Sequence, residues 1–288
     1  MPENYYSEEI KKLWPNNAPS ISNIQKYVEK YKEDTIVIKY GGNVLIDREV
    51  FNNFILDIQI LNRLGLSIVV VHGGGPRIKR ELEKSNIESK FINGLRVTDK
   101  KIVNIVEKVL IEFNKDIVES LNNKNSGATQ INSKKSNVIN VVPEKKELGF
   151  VGIPKRINTE IIKDLIRNNK IPVVAPLGLD KKNQVYNING DTAAGAIAKS
   201  LKSRRLLLMT NVEGVLNKEK KIITEISSKK TLELIKDQTI SGGMIPKINT
   251  CLDAVNNGVR GVVIMDGRKP HSILNEIFSD TGAGTLIR

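Results

Sequence analysis

The chain has 288 residues, with 45 Lys and Arg against 32 Asp and Glu, 40% hydrophobic residues, two His and one Cys, which is enough for one large globular domain or two modest ones. Two histidines and a single cysteine, Cys251, cannot build a Cys/His zinc site or a disulfide framework, and the longest apolar runs, such as Ile68 to Val71, fall far short of the ~18 residues that span a bilayer. A net charge of +13 raises nucleic acid as a partner, but the lysines are spread along the whole chain and only 5% of residues are aromatic, so an acidic small molecule is the better expectation.

Residues 1–34 differ from the rest of the chain. Glu8 to Trp14 reads as a short amphipathic helix ended by Pro15. Ser20-Ile21-Ser22-Asn23 opens a second one, with Ile24, Tyr27, Val28 and Tyr31 on one face. That face must dock on its own domain or on another subunit. From Thr35 strands and helices alternate. Thr35 to Lys39 is a strand followed by Gly41-Gly42, and Phe51 to Leu64 a helix with Gly65 as its C-cap. Ser67 to Val71 is an apolar strand followed by His72-Gly73-Gly74-Gly75 and a helix over Pro76 to Lys84. A long helix covers Lys100 to Leu121, and the Lys- and Asn-rich stretch from Leu121 to Lys135 reads as solvated surface. Asn137 to Val142 and Gly149 to Ile153 form a candidate hairpin. Next come a helix over Thr159 to Asn168, a buried strand over Ile171 to Ala175 and an alternating strand over Gln184 to Asn189. Thr192 to Leu201 is a helix of small residues and Arg205 to Thr210 a strand. Helices over Lys229 to Lys236 and Lys247 to Asn256, a strand over Val259 to Met265, a helix over Pro270 to Phe278 and a last strand over Thr285 to Ile287 complete the chain. This alternation predicts a mostly parallel sheet covered on both faces, with ligands bound beyond the carboxyl ends of the strands.

The candidate functional residues fall there. Lys39-Tyr40-Gly41-Gly42 ends the first strand and His72-Gly73-Gly74-Gly75 the second, and Ser241-Gly242-Gly243-Met244 runs into the helix carrying Lys247. Successive glycines let backbone N–H groups approach an anion, and a helix N-terminus favours negative charge. A lysine in a first helical turn opposes the helix dipole, which makes sense where a phosphate occupies that space. There is no G-x-x-x-x-G-K-[ST] loop, no spaced G-x-G-x-x-G and no G-x-S-x-G elbow around either histidine, His72 or His271. In an extended strand Asn187, Asn189 and Asp191 would share one face, and Asp191 would also cap the helix beginning at Thr192. Arg96, in Asn93-Gly94-Leu95-Arg96-Val97-Thr98, can clamp a carboxylate bidentately.

Together IKYGGN, VVVHGGGP, NGLRVT, GFVG, NINGDTAA, MTNVEGVL, SGGMIPK and the tail PHSILNEIFSDTGAGT resemble the amino acid kinase family from about Ile36 onward. The glycine loops indicate that family at large, including its carbamate, aspartate, glutamate and uridylate kinases. NGLRVT and the NxNxDxAA segment resemble the members that phosphorylate N-acetyl-L-glutamate. The resemblance implies a three-layer αβα sandwich, with a helical extension over residues 1–34, an acetylglutamate-binding lobe over 35–192 and an ATP-binding lobe over 193–288. It implies transfer of phosphate from Mg-ATP to the γ-carboxylate of N-acetyl-L-glutamate, a step of arginine synthesis, with Mg²⁺ carried by ATP and no protein metal ligand.

The resemblance also assigns roles. Lys39 and Lys247 would neutralise the transferring phosphoryl group and Asp191 would hold them. Gly74, Gly75, Arg96, Asn187 and Asn189 would bind the acidic substrate. Gly41, Gly42, Thr210, Asn211, Val212, Gly214, Val215, Leu216, Gly242, Gly243 and Met244 would face the nucleotide. The family usually has Asp at position 211 and often Ala at position 190, where this chain has Asn211 and Gly190. The terminal segments resemble those of arginine-inhibited members, which implies a homo-oligomer, a hexamer built as a trimer of dimers. L-Arginine would bind near His271, Glu276 and Gly282, with Lys218 a further candidate. A PII-type regulatory partner is left open. The start of the chain lacks the cationic and apolar pattern of a secretory signal, and the single Cys fits a reducing compartment, so the expected location is the cytoplasm, with no membrane or nucleic acid. The rival readings are another carboxylate or carbamate kinase of the same fold, and a non-catalytic arginine-sensing subunit.

Overall fold

The computed structural model describes residues 7–41 and 47–288. Ser7 caps a short helix α1 (Glu8–Leu13), and a 3-10 turn leads into α2 (Ile24–Tyr31). Strand β1 (Thr35–Tyr40) precedes α3 (Arg48–Arg63), whose first amides are capped by Asp47. Strand β2 (Ser67–His72) leads into α4 (Gly75–Lys84), and a small hairpin, β3 (Phe91–Ile92) with β4 (Leu95–Arg96), precedes the long α5 (Lys100–Asn122). After it come β5 (Ala128–Ile131), β6 (Ile139–Pro143), β7 (Gly152–Ile157), α6 (Thr159–Arg167), β8 (Ile171–Val174), β9 (Leu177–Leu179) and β10 (Val185–Asn187). The C-terminal third holds α7 (Gly190–Leu201), β11 (Arg205–Thr210), β12 (Glu225–Ile226), α8 (Ser228–Lys236), α9 (Met244–Asn256), β13 (Val262–Asp266), α10 (Ser272–Ile277) and β14 (Gly284–Ile287). No helix of the described residues is long and apolar enough to cross a membrane.

Among the described residues eight strands form one sheet in the order β12-β14-β13-β11-β1-β2-β8-β5. It is parallel from β13 to β5, while β14 runs antiparallel to β13. Alternate side chains of each strand feed opposite layers, as the two-residue period requires. Ile36, Ile38, Val70, Leu207, Met209 and Val263 pack with residues of α2, α3, α5 and α10. Val37, Val69, Val71, Leu206, Leu208 and Ile264 pack with residues of α6, α7, α8 and α9 on the other side. The result is the expected αβα sandwich. Because β1 lies between β11 and β2, strands from both halves of the chain share one sheet.

A second sheet, β10-β9-β6-β7, projects from this frame and contains the expected hairpin as β6 and β7. Two expectations are corrected. The stretch from Leu121 to Lys135 is not all solvated surface: Ala128 and Ile131 are buried, and β5 closes one edge of the main sheet beside β8. Its polar Thr129 and Gln130, intervening between two apolar residues, hide the strand in the sequence. Asn187, Asn189 and Asp191 do not form an extended row either. The strand ends at Asn187, Asn189 is the cap of α7, and Asp191 lies in that helix's first turn.

The apolar face of α2 docks on its own chain. Ile24, Tyr27, Val28 and Tyr31 are buried in the core that includes Phe278, and Trp14 and Tyr27 set their rings 5.5 and 6.2 Å from the Phe278 ring. Phe278→Ala should therefore cost about 3–5 kcal/mol of stability and loosen residues 7–34, read as a lower thermal midpoint with faster proteolysis of that segment.

Candidate functional site

Lys39, Asp191 and Lys247 meet at the carboxyl edge of the central strands. Lys39 is the penultimate residue of β1 and points, like Val37, toward the α7–α9 layer. Its Nζ lies 2.9 Å from Asp191 Oδ1. Lys247, one turn into α9, donates to Asp191 Oδ2. Three local features allow this approach. Gly195 opens α7 to α9, since a Cβ there would sit 2.8 Å from Thr250 Cγ2. Gly41 leaves room for the lysine, since its Cβ would fall 2.1 Å from Lys39 Nζ. Asn189 Oδ1 accepts from the Asp191 and Thr192 amides, which fixes where α7 begins. Burial alone would raise the Asp191 carboxyl, but the charges of Lys39 and Lys247 outweigh it and hold the group well below the usual carboxylate range. Two cations against one anion leave the cluster positive.

The cavity beside this cluster is lined by Lys39, Gly73, Gly74, Gly75, Arg96, Asn187, Asn189 and Asp191, together with Phe91, Leu95, Leu110, Val151 and Pro176. Every expected substrate residue is thus brought to one place. Gly74 is required by packing, because a Cβ would fall 2.4 Å from Leu110 Cδ2. Arg96 is nearly buried, donates to Ser89 Oγ and stacks over the Phe91 ring at 4.7 Å. Among the described residues it forms no ion pair, so its guanidinium is a buried cation without an anion. The motifs around it interlock. Thr98 Oγ1 donates to the Arg96 carbonyl at 2.7 Å, Asn187 Nδ2 donates to Thr98 Oγ1 at 3.3 Å, and Phe150 N–H donates to the Thr98 carbonyl at 2.7 Å. Gly149, at φ +65° with a would-be Cβ 2.4 Å from Thr98 O, admits no side chain there. Ser89, Phe91, Leu110, Val151 and Pro176 are not legible in the sequence. Apolar and small polar residues carry no spacing signal of their own.

The expected nucleotide residues lie outside this cavity. Thr210 ends β11 and Asn211 is exposed beside it, with Thr210 Oγ1 3.3 Å from Asn211 Oδ1. Gly242 and Gly243 stand open before α9, where Met244 begins the helix. Val212 and Leu216 lie in the segment after β11, Val212 half-buried and Leu216 40% exposed. Gly214 and Val215 face inward instead: Val215 N–H donates to Thr285 Oγ1 at 2.8 Å, and a Cβ on Gly214 would meet the same hydroxyl at 2.4 Å. Gly42 lies outside the described residues. No group of three or more His, Cys, Asp or Glu with metal-holding geometry comes together among the described residues.

Of the four expected effector residues the structure brings two together. Glu276 and Gly282 line a separate cavity with Lys30, Tyr31, Arg205 and Asp280. Burial raises the Glu276 carboxyl, whose Oε2 accepts from Ala283 N–H at 2.8 Å. His271 and Lys218 line neither this cavity nor the first. The His271 ring turns inward, its Nδ1 2.6 Å from Asp57 Oδ1, and Lys218 pairs with Asp237 at the surface at 3.3 Å. A buried carboxylate facing α10 outcompetes an open pocket for the imidazole.

The profile of the amino acid kinase family matches residues 34–266. An acetylglutamate kinase of Pelagibacter ubique is 57% identical over 281 residues, covering 98% of both chains. One of Roseobacter denitrificans is 42% identical over 283 residues, covering 98% of this chain and 99% of its own. Among solved structures, N-acetylglutamate synthase from Neisseria gonorrhoeae, complexed with coenzyme A and N-acetyl-glutamate, superposes with a TM-score of 0.83 at 20% identity. That match covers 92% of this chain and 62% of the synthase chain, and at that identity it establishes the shared fold.

Asp191→Asn would leave two lysines facing each other without their anion, with an expected loss of about 3 kcal/mol of stability and about 100-fold or more in turnover. The Asp191 carboxyl is depressed in the folded state. Its contribution is therefore complete above the unfolded carboxylate pKa of ~3.9 and is lost only as the pH falls further, through the depressed value. Unfolding followed from pH 7 to pH 3 should show the difference between wild type and Asp191→Asn constant down to about pH 4 and shrinking below it.

Proposed function

The chain belongs to the amino acid kinase family, and from that premise we propose that it transfers the γ-phosphoryl group of Mg-ATP to the γ-carboxylate of N-acetyl-L-glutamate, a step of arginine synthesis. The single observation that carries the choice of acceptor is Arg96, a buried guanidinium with no anionic partner among the described residues, across a cavity from the Lys39–Asp191–Lys247 cluster. A dicarboxylate fits that layout. One carboxylate meets the arginine fork and the other reaches the lysines, while Leu95, Leu110, Val151 and Pro176 offer apolar surface for an acyl cap. The names of the relatives support the same acceptor.

The reaction asks little acid–base chemistry of the protein. The attacking carboxylate, with an ordinary pKa of ~4.3, is already ionised at neutral pH, so no general base is needed. Lys39 and Lys247 would neutralise the charge spreading over the transferring group, Asp191 would hold both, and the Gly74 and Gly75 amides would add donors from the N-terminus of α4. Asn187 would orient the acceptor, and Asn189 would set the helix that carries Asp191. Magnesium would arrive as part of the nucleotide substrate. ATP would lie on the side of Thr210, Asn211 and the Gly242–Gly243 loop, giving an acceptor lobe over 35–192 and a nucleotide lobe over 193–288. The cytoplasm is the proposed location. L-Arginine is proposed as an inhibitor held by Glu276 and the Gly282 backbone, with His271 bracing α10 from inside. The proposed hexamer, a trimer of dimers, rests on the helical extension, whose apolar face is seated on its own chain. Linking subunits would use its charged outer face or an exchange of extensions.

ADP release with Mg-ATP should be specific to N-acetyl-L-glutamate over glutamate, aspartate and carbamate, and suppressed by millimolar arginine. Lys247→Ala should lower turnover by about 10²–10⁴-fold with the fold intact. Turnover on another acceptor would overturn the role of Arg96, and silence from the folded wild type on every acceptor would favour a sensing subunit. Removing residues 1–30 should convert a hexamer to a dimer by light scattering; an unchanged mass would remove the extension from the assembly.

A further inference from the structure

One buried histidine takes no part in the chemistry above. His72 closes β2, has 0% exposure and does not line the cavity. Its ring stands edge-on to Phe113, with centroids 5.1 Å apart. Its Nδ1 lies 2.8 Å from the Gly73 carbonyl oxygen and its Nε2 lies 3.2 Å from Asn114 Nδ2. Asn114 is fully buried as well, and its Nδ2 also donates to the Val173 carbonyl at 2.9 Å, which turns the amide nitrogen toward the histidine. A carbonyl oxygen only accepts, so Nδ1 must carry the hydrogen. Nε2 faces an N–H donor, so it must accept. One neutral tautomer satisfies all three contacts. Burial pushes the imidazole down to about 4, in keeping with a neutral ring.

The consequence lies one bond further along. A peptide unit is planar and trans, so its C=O and N–H point in opposite directions. The peptide whose carbonyl is tied to His72 is the one whose nitrogen belongs to Gly74. Gly73 N–H is itself held by the Tyr40 carbonyl at 2.7 Å, so the first glycine is anchored to the sheet edge on both sides. Gly74 N–H has no acceptor among the described residues, and Gly74 lines the cavity. We infer that His72 is a positioning residue: its Nδ1–H holds the Gly73 carbonyl back and thereby aims the Gly74 N–H at the negative charge of the reacting carboxylate and phosphoryl oxygens. Asn114 sets the tautomer that makes this possible. The inference rests on the carboxyl-phosphorylation proposed above.

Two substitutions and one spectrum test it. His72→Phe keeps a ring against Phe113 and removes the donor. His72→Asn places an amide nitrogen near the Nδ1 position and keeps it. The Phe variant should lose about 30–100-fold in kcat, with KM for Mg-ATP within about twofold, while the Asn variant recovers to within about fivefold of wild type. A merely structural histidine would lower the melting temperature of both variants without that kcat split or that recovery. An Asn variant as slow as the Phe variant, or a Phe variant at the wild-type rate, would overturn the inference. Nitrogen-15 spectra of the wild type carry signals from only two histidines, and the set missing from either variant belongs to His72. A neutral Nδ1–H ring from pH 5.5 to 8 is expected; an Nε2–H or charged His72 ring would overturn the inference, and so, even if both variants failed to fold, would a wild type in which neither histidine shows a neutral Nδ1–H ring. A wild type that phosphorylated none of the acceptors would remove the reaction, while the spectrum would still decide the tautomer.

Discussion

Asp191 is the point on which the site depends. Two ammonium groups brought near each other out of bulk water repel, by about 4 kcal/mol at ~4 Å in an effective dielectric of 20, and an anion between them turns repulsion into a clamp. The rest of the local structure serves that contact. Helix α7 has to begin at the strand edge, so Asn189 caps it two residues before the aspartate. Helix α9 has to come close, so Gly195 faces Thr250. The lysine of β1 has to fold back over its own strand end, so residue 41 is glycine. None of these features stabilises an isolated helix or strand. A cation in the first turn of α9 and a glycine inside α7 both work against helix formation. Their place is explained by the ion cluster they permit.

The charged groups around the cluster are mostly cations. Arg96, two lysines and the N-termini of α4, α7 and α9 all offer positive or partially positive groups, and one carboxylate answers them. The titratable groups that usually move protons are occupied elsewhere. His72 is neutral and bonded on both nitrogens, and His271 is locked to Asp57. Burial and the Asp191 charge push the Cys251 thiol far above its ordinary range. A site of this kind favours a reaction in which charge is positioned and cancelled, with proton transfer left out.

The legible part of this architecture is the part written in repeated physical patterns. Apolar runs such as Ser67 to Val71 and Arg205 to Thr210 announce central strands, and glycine pairs next to lysines mark the loops at their ends. The illegible part depends on partners distant in sequence. Strand β5 has two polar residues among four and becomes a strand because β8 supplies its ladder. The polar residues Asn187, Asn189 and Asp191 alternate and so suggest a two-residue period, whereas capping by Asn189 changes the period to 3.6 after one step. Phe91 and Ser89 become visible only with Arg96 lying between them. His271 illustrates the converse. Its sequence context places it near Glu276, and the deciding contact, Asp57, is 214 positions away.

The two cavities stand at opposite ends of the same strands, and that fixes what any communication between them must involve. Lys39 is at the carboxyl end of β1, whereas Arg205, which lines the cavity of Glu276, begins β11 and pairs in register with Ile36 near the other end of β1. Three residue steps along a strand span about 10 Å, each cavity opens beyond its own end of that span, and the two share no lining residue. A ligand in the cavity of Glu276 would therefore not touch Lys39, and it could act there only by moving whole elements that reach from one strand end to the other. Helix α10 and the loop before it meet that condition. Glu276 lies on the helix, His271 at its start is fastened to α3 through Asp57, and Gly267 just before it donates to the carbonyl of Thr210 at the strand edge. Because the packed strands between are close-fitting on both faces and deform little, a displacement of this helix would travel as a rigid shift to the Thr210 end of β11.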